Sequence, residues 1–310
     1  MNGQRFPYGG QAVLEGVMMR GLHQATVAVR SPSGEIVFKH EQLDVERRRM
    51  WEQYPLLRGL LALWDALNLG VRSLNFSSNV ALGEDEQPSA AASAATVVVS
   101  LLFAVGLFFV LPLLLASVLT WFGASVLVRD VAEGAIRLLV FIGYVLLIGR
   151  VPEIQRVFGY HGAEHKAINA YEAGAPLTVR EVQRFTLIHP RCGTSFLLVV
   201  VLISIPLFAL FGDLPVWAHL PVRLALIPVI AAFAFELLRL SAAHYHRAWV
   251  RALVAPSLAL QRLTTREPDD QMVAVAIAAL LPVLAADGVA INGQEPGSAV
   301  AGPAAVSVQA

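Results

Sequence analysis

Apolar and polar positions change their period along the chain, and the changes mark its elements. Thr26-Val-Ala-Val-Arg30 and Glu35-Ile-Val-Phe-Lys39 are short β-prone runs. Ser31-Pro-Ser-Gly34 between them carries turn chemistry, so the pattern predicts a hairpin. Gly9, Gly10 and Gly16 punctuate the preceding segment, which is expected to add a strand around Ala12–Met19. Residues 1–54 therefore read as a small, polar-faced, β-rich unit. From 55 to 82 the period becomes helical. Asp65, Asn68, Arg72 and Asn75 share one face, while Leu60, Leu61, Leu63, Trp64, Leu67 and Leu74 cover much of the remainder. Such a helix lies either in the membrane interface, with its tryptophan at headgroup depth, or against the protein's own core. Residues 83–94, Gly-Glu-Asp-Glu-Gln-Pro-Ser and then alanines, read as a linker.

Residues 95–250 hold four apolar stretches, near 96–121, 131–149, 195–211 and 220–240. The first is nearly uncharged and long enough for a hydrocarbon core of ~30 Å, whereas the third is short. Pro112, Pro206 and Pro228 fall inside these stretches, a placement that membrane helices tolerate. Composition points the same way: 56% of residues are hydrophobic and 15% charged, against about 25% charged in ordinary soluble domains. The fold class expected is mainly α: a polytopic membrane protein with four transmembrane helices and a small N-terminal β-rich cytoplasmic unit.

Charge placement orients the chain. Lys and Arg crowd the first 94 residues, the loop at 150–194 and the segment after the fourth stretch. The two intervening loops are nearly without them. By the positive-inside rule both termini, and the loop 150–194, face the cytoplasm. A net charge of zero gives no reason to expect a nucleic-acid partner, and the single Cys192 excludes an internal disulfide. Residues 251–287 read as a cytoplasmic helical segment, and 288–310 as a disordered tail.

The candidate chemistry sits in that cytoplasmic loop. His161-Gly-Ala-Glu164-His165 places two imidazoles four apart on one helix face, close enough to share a metal ion. The H-x-x-E-H order is the inverted zincin pattern, in which the acid serves as general base. A helix over about Gly162–Ala173 is expected to stop at Gly174, and Thr178-x-x-Glu181 forms a capping box. His189 and Cys192 follow three apart, and Thr194 or Ser195 is expected to cap the third apolar stretch. His161, His165, His189 and Cys192 would complete a tetrahedral zinc site, and without Cys192 a position stays open for water that Glu164 activates. The plainer alternatives are interfacial hydrogen-bonding histidines and an inert buried thiol. Lys166 reads as a solvated or lipid-facing charge rather than a catalytic group. Glu236 either pairs with Arg239 on its own helix or reaches the histidine cluster. Glu15 and Arg20 belong either to a tight glycine-rich strand or to the same site. Mid-membrane charges that would line a transport path look nearly absent.

Four segments together resemble the YqhQ-like family of bacterial multispanning membrane proteins. They are Gly9-Gly-Gln-Ala-Val-Leu-Glu-Gly-Val-Met-Met-Arg20, Tyr160-His-Gly-Ala-Glu-His-Lys166, His189-Pro-Arg-Cys-Gly-Thr-Ser-Phe196 and Leu260-Gln-Arg-Leu-Thr-Thr-Arg-Glu-Pro-Asp-Asp270. The resemblance implies a multi-pass protein of the bacterial inner membrane and a predicted metal-dependent enzyme. Ala274 stands where the family pattern carries an acid. Two functions follow as expectations. One is a metal-dependent hydrolase using zinc and Glu164 on a membrane protein, lipid or peptide. The other is a non-enzymatic scaffold that docks a membrane protein complex such as a translocon, with a structural histidine cluster. Membrane lipid is a partner in either case.

Overall fold

The computed structural model describes residues 8–46, 50, 53–82, 89–211, 214 and 216–289. Four strands, β1 (Gly9–Val13), β2 (Gly16–Arg20), β3 (Gln24–Arg30) and β4 (Ile36–Gln42), form an antiparallel meander in the order β1-β2-β3-β4. The hairpin predicted at Ser31–Gly34 joins β3 to β4, with Gly34 at φ +89°. The single strand expected around Ala12–Met19 is two strands. The chain reverses at Leu14-Glu15, and Val13 pairs with Gly16. Glu15 takes φ +50°, a region costly for a residue with a side chain. Its carboxylate repays that strain by accepting from Arg156 at 2.5 Å and from the Tyr160 hydroxyl at 3.3 Å.

The sheet is covered on both faces rather than polar on one. Alternation sends Val13, Met18, Ala25, Val27 and Val29 toward Leu69, Phe76 and Val80 of helix α1 (Leu57–Leu82). Val17, Met19 and Ala28 face the opposite way, into a core shared with helices α5 (Pro152–Glu172) and α10 (Asp270–Ala286). Asp287, just past α10, holds the β2–β3 turn by accepting from the Leu22 and His23 amides, each at 2.9 Å.

Helix α1 buries its small residues, Gly59, Gly70, Ser73 and Ser77, and leaves the stripe Leu60, Trp64, Leu67, Val71 and Leu74 outward. Its polar positions turn to the sheet unit: Asp65 lies 3.6 Å from Arg20, and Arg72 3.7 Å from Glu41. Half of the expected linker 83–94, residues 83–88, lies outside the described residues, as does the expected tail from 290 onward; the other half is not a linker, since Ser89 caps a helix that starts at Ala90.

Three helices are long and apolar enough to cross a bilayer: Ala94–Phe122, Val126–Ile148 and Trp217–Ala243. The chain is a membrane protein. The first of these begins in α2 (Ala90–Val105), passes a π-helical turn at Gly106–Val110, continues as α3 (Leu111–Ser117) and ends in a 3-10 turn at Val118–Phe122. The second is α4 (Val126–Ile148), and the third lies within α8 (Val216–Ala243). The remaining apolar stretch is α7 (Gly193–Ala209), 17 residues long.

Charges inside this bundle correct the expectation of an uncharged interior. Pro112 has no N–H for the carbonyl four residues before it, Phe108, and Arg137 of α4 fills that vacancy from Nε at 3.0 Å. Arg137 also reaches Ser204 of α7 at 3.1 Å and Glu133 at 2.5 Å. Arg223 of α8 donates to the same Glu133 carboxylate at 2.6 Å. The Phe208 ring of α7 lies 5.0 Å from the Arg137 guanidinium and 5.2 Å from that of Arg223. One carboxylate and one phenyl ring therefore serve two arginines, and the clamp spans all four apolar segments. Glu236 pairs with neither Arg239 nor the histidines. It binds Arg58 of α1 at 2.7 Å, beside the contact of Gly59 with Phe235.

Candidate metal centre

Helix α5 starts at Pro152, ten residues earlier than the sequence reading placed it, with proline at a position that needs no N–H. It ends where predicted, with Gly174 at φ +72°. The short α6 (Val179–Val182) is capped by Thr178, whose hydroxyl accepts from the Glu181 amide at 3.4 Å. Neither Thr194 nor Ser195 caps α7. Cys192 does so, its Sγ accepting from the Thr194 amide at 3.4 Å, which leaves the sulfur facing α5.

Three side chains converge there. One donor atom each from His161, His165 and Cys192 lies within 4.8 Å of the others. His161 Nε2 is 3.2 Å from Cys192 Sγ, and the two imidazole centroids are 4.4 Å apart. Both rings are tethered from behind. His161 Nδ1 lies 2.8 Å from the Thr264 carbonyl of helix α9 (Ala248–Thr264), and His165 Nδ1 bonds the Leu187 carbonyl. A ring whose Nδ1–H donates to a carbonyl presents the lone pair of Nε2, so both histidines offer that atom to one point. His165 Nε2 is buried with no hydrogen-bond partner. A buried acceptor left unpaired costs about 1–3 kcal/mol, which a cation at that point would recover. Two imidazoles and a thiol match the donor chemistry of zinc.

His189 and Glu164 stand differently. The His189 ring centroid is 5.8 Å from that of His165, and its Nε2, buried and without a hydrogen bond, lies 3.6 Å from Glu172 Oε2. It is not among the three converging donors. Burial lowers its pKa, and the proximity of Glu164 opposes that shift. Glu164 points to the sheet. Its side chain is buried beneath Gly10 of β1, where a Cβ would stand 3.1 Å from its Cγ. Burial raises its pKa, while His161, His189 and the Gly10 amide pull it down. The N-terminal glycine motif thus meets the histidine helix at Glu164. Arg20 and Glu15 do not join the donors; they pair with Asp65 and Arg156.

Two contributors escaped the sequence reading. Gln261 of α9 clips the loop between α6 and α7: its Oε1 accepts from the His189 amide at 3.0 Å and its Nε2 donates to the His189 carbonyl at 2.8 Å. Lys166, read as solvated, is 2% exposed and bonds the Gln183 carbonyl at 2.7 Å together with Glu267. Both Gln261 and Glu267 lie in the Leu260–Asp270 motif, the one signal that could have drawn attention to them.

A family model described as "Protein of unknown function (DUF1385)" matches residues 54–286. The chain belongs to this family. It is also 35% identical over 304 residues to "Uncharacterized protein YqhQ" of Bacillus subtilis (strain 168), with 93% of this chain and 96% of that protein covered. No solved structure matches. The family resemblance read from the four motifs is therefore borne out, and the matched region contains the three converging donors and both of their carbonyl tethers.

Proposed function

We propose that the protein is a multi-pass inner-membrane protein carrying a divalent metal centre of hydrolase type at its cytoplasmic face, held by His161, His165 and Cys192. The observation that carries this reading is the buried, unpaired Nε2 of His165, aimed with His161 Nε2 at Cys192 Sγ while both Nδ1 atoms are tied to carbonyls. Three protein donors are the number found in catalytic rather than structural zinc sites. Bound zinc supplies Lewis-acid chemistry at near-neutral pH. The chain's own part is to hold both imidazoles in one tautomer and to keep Glu164 as the proton acceptor, in a pocket that β1 shields from water. The substrate class remains that of the sequence reading: a membrane protein segment, a lipid or a peptide.

A second reading, a scaffold with a structural metal, is favoured by the burial of Glu164 under Gly10. Elemental analysis of the purified full-length protein tests the first premise. Stoichiometric zinc that is lost in His161→Ala and in His165→Ala supports the centre, and a metal-free wild type overturns it. Glu164→Gln then separates the readings: metal retained with cellular function lost supports a proton acceptor, and function retained supports the scaffold, with a complex such as the translocon as its partner.

The four-crossing topology with both termini in the cytoplasm is part of this proposal. Helix α7 has 17 residues, about 25 Å at 1.5 Å per residue. Its support is that Ser204 and Phe208 sit at the depth of Arg137 and Arg223. The outward stripe of α1, continuous with the lipid-facing flank of α8 through Arg58–Glu236, is assigned to the bilayer surface.

A further inference from the structure

A cavity of about 490 Å³ opens beside Leu187, the residue whose carbonyl holds His165. Its walls include Phe185, Leu187 and Ile188, and its polar groups include Lys166, Arg262 and Glu267. Leu187 is shared between the two sites: its side chain lines the cavity and its carbonyl holds His165.

The charges of this cavity do not balance. Lys166 is buried at its base, with a side chain 3% exposed. Its one anionic partner among the described residues is Glu267, whose side chain is 67% exposed and reaches in from solvent. Arg262 at the rim is exposed and makes no ion pair among the described residues. Two cations, Lys166 and Arg262, thus line the cavity against a single acid, Glu267, which is paired with Lys166 alone. A buried ammonium needs an anion close by, and Glu267 supplies it from a side chain that is mostly solvent-exposed. Opposite the cations lies an apolar wall immediately upstream of His189 and Cys192, where the chain enters the apolar helix α7.

We propose that this cavity binds an acidic amphiphile, whose phosphate or carboxylate head displaces Glu267 from Lys166 and pairs with Arg262 while its apolar body lies on Phe185, Leu187 and Ile188. Glu267 is then an internal plug that occupies the head position in the unliganded protein. The proposal rests on the cavity alone and not on the metal, and the same titrations after chelation are expected to give the same affinities.

The test uses the purified full-length protein in zwitterionic nanodiscs, titrated with dioctanoyl phosphatidic acid, with dioctanoyl phosphatidylcholine and with inorganic phosphate. Saturable binding of the phosphatidic acid and none of the phosphatidylcholine is expected. Arg262→Gln, at an exposed position, is expected to weaken binding by about tenfold through loss of one charge-assisted contact. Glu267→Gln is expected to tighten it several-fold by removing the plug. Inorganic phosphate binding as tightly as the lipid assigns a free anion as the head's source, and much weaker binding assigns the amphiphile. Equal binding of both lipids, no binding of either anion, or wild-type affinity in both variants overturns the proposal.

Discussion

Gly10 packs directly on the Glu164 side chain, and so the first strand of the protein roofs the helix that carries His161 and His165. The approach is close enough to require glycine. A Cβ at position 10 would stand 2.4 Å from the Met18 carbonyl oxygen and 3.1 Å from Glu164 Cγ.

Gly10→Ala is therefore expected to force β1 away from β2 and from Glu164. Overpacking of this kind costs about 1–3 kcal/mol, read as a drop of several degrees in the melting temperature of the purified protein. Gly9→Ala is the control, because a Cβ there meets nothing within 4 Å. Equal melting temperatures for the two variants would count against the roof.

On the proposed metal centre, chelation should destabilise the same region. A ligand at about a hundred times its dissociation constant contributes about 2.7 kcal/mol to the folded state. Chelation of the wild type is expected to lower its melting temperature. His165→Ala is expected to melt near the stripped wild type and to show no response to the chelator.

Charge counting ranks three substitutions in the membrane clamp. Arg137→Met leaves Glu133 paired with Arg223, and Arg223→Met leaves it paired with Arg137. Glu133→Gln leaves two buried arginines with no acid between them. An uncompensated buried charge costs about 3–5 kcal/mol, so Glu133→Gln is expected to fold least well of the three. The yield of monodisperse protein from membranes measures the order.

Asp287 links acid sensitivity to the sheet. Burial pushes its carboxyl up, but the Leu22 and His23 amides and the His23 ring outweigh that and hold it below its ordinary value. A depressed carboxylate contributes stability that is present above its unfolded pKa, about 3.9, and that is lost as pH falls through the lower folded value. Acid titration of the melting temperature is expected to show this loss below about pH 4. Asp287→Asn is expected to lower the melting temperature at neutral pH and to flatten the acid limb.

Trp64 is 65% exposed on the outward stripe of α1. With Trp51, Trp121, Trp217 and Trp249 replaced by phenylalanine, its fluorescence in liposomes is expected to be quenched by brominated lipid and spared by aqueous iodide. The opposite pattern would assign this face to water or to a protein partner.

Local chemistry was legible wherever it depended on neighbours in sequence. The β3–β4 hairpin, the Thr178 cap and the Gly174 stop all came from residues within a few positions of one another. His161 and His165 fell on one face by helical period alone, and Cys192 was singled out beside them. The misreadings share a different cause. Lys166 looked solvated because the residues that bury it, Gln183 and Glu267, lie 17 and 101 positions away. For Glu236 the local pattern offers Arg239 or the histidine cluster, yet its partner Arg58 is 178 positions upstream. The β1–β2 turn lacked a turn signature, since Leu14-Glu15 contains neither Gly nor Asn, and the contacts that secure Glu15 come from α5. In each case a distant side chain sets the outcome, and no local pattern reports it.

The shared carboxylate of Glu133 also imposes an order on biogenesis. When α4 leaves the ribosome, Glu133 has Arg137 four residues on and enters lipid as a neutral pair. Arg223 is synthesised 90 residues later, on a helix whose counter-ion is already in the bilayer. On arrival Arg223 meets a carboxylate that Arg137 already orients, so the helix that carries it is fixed to the earlier ones through Glu133.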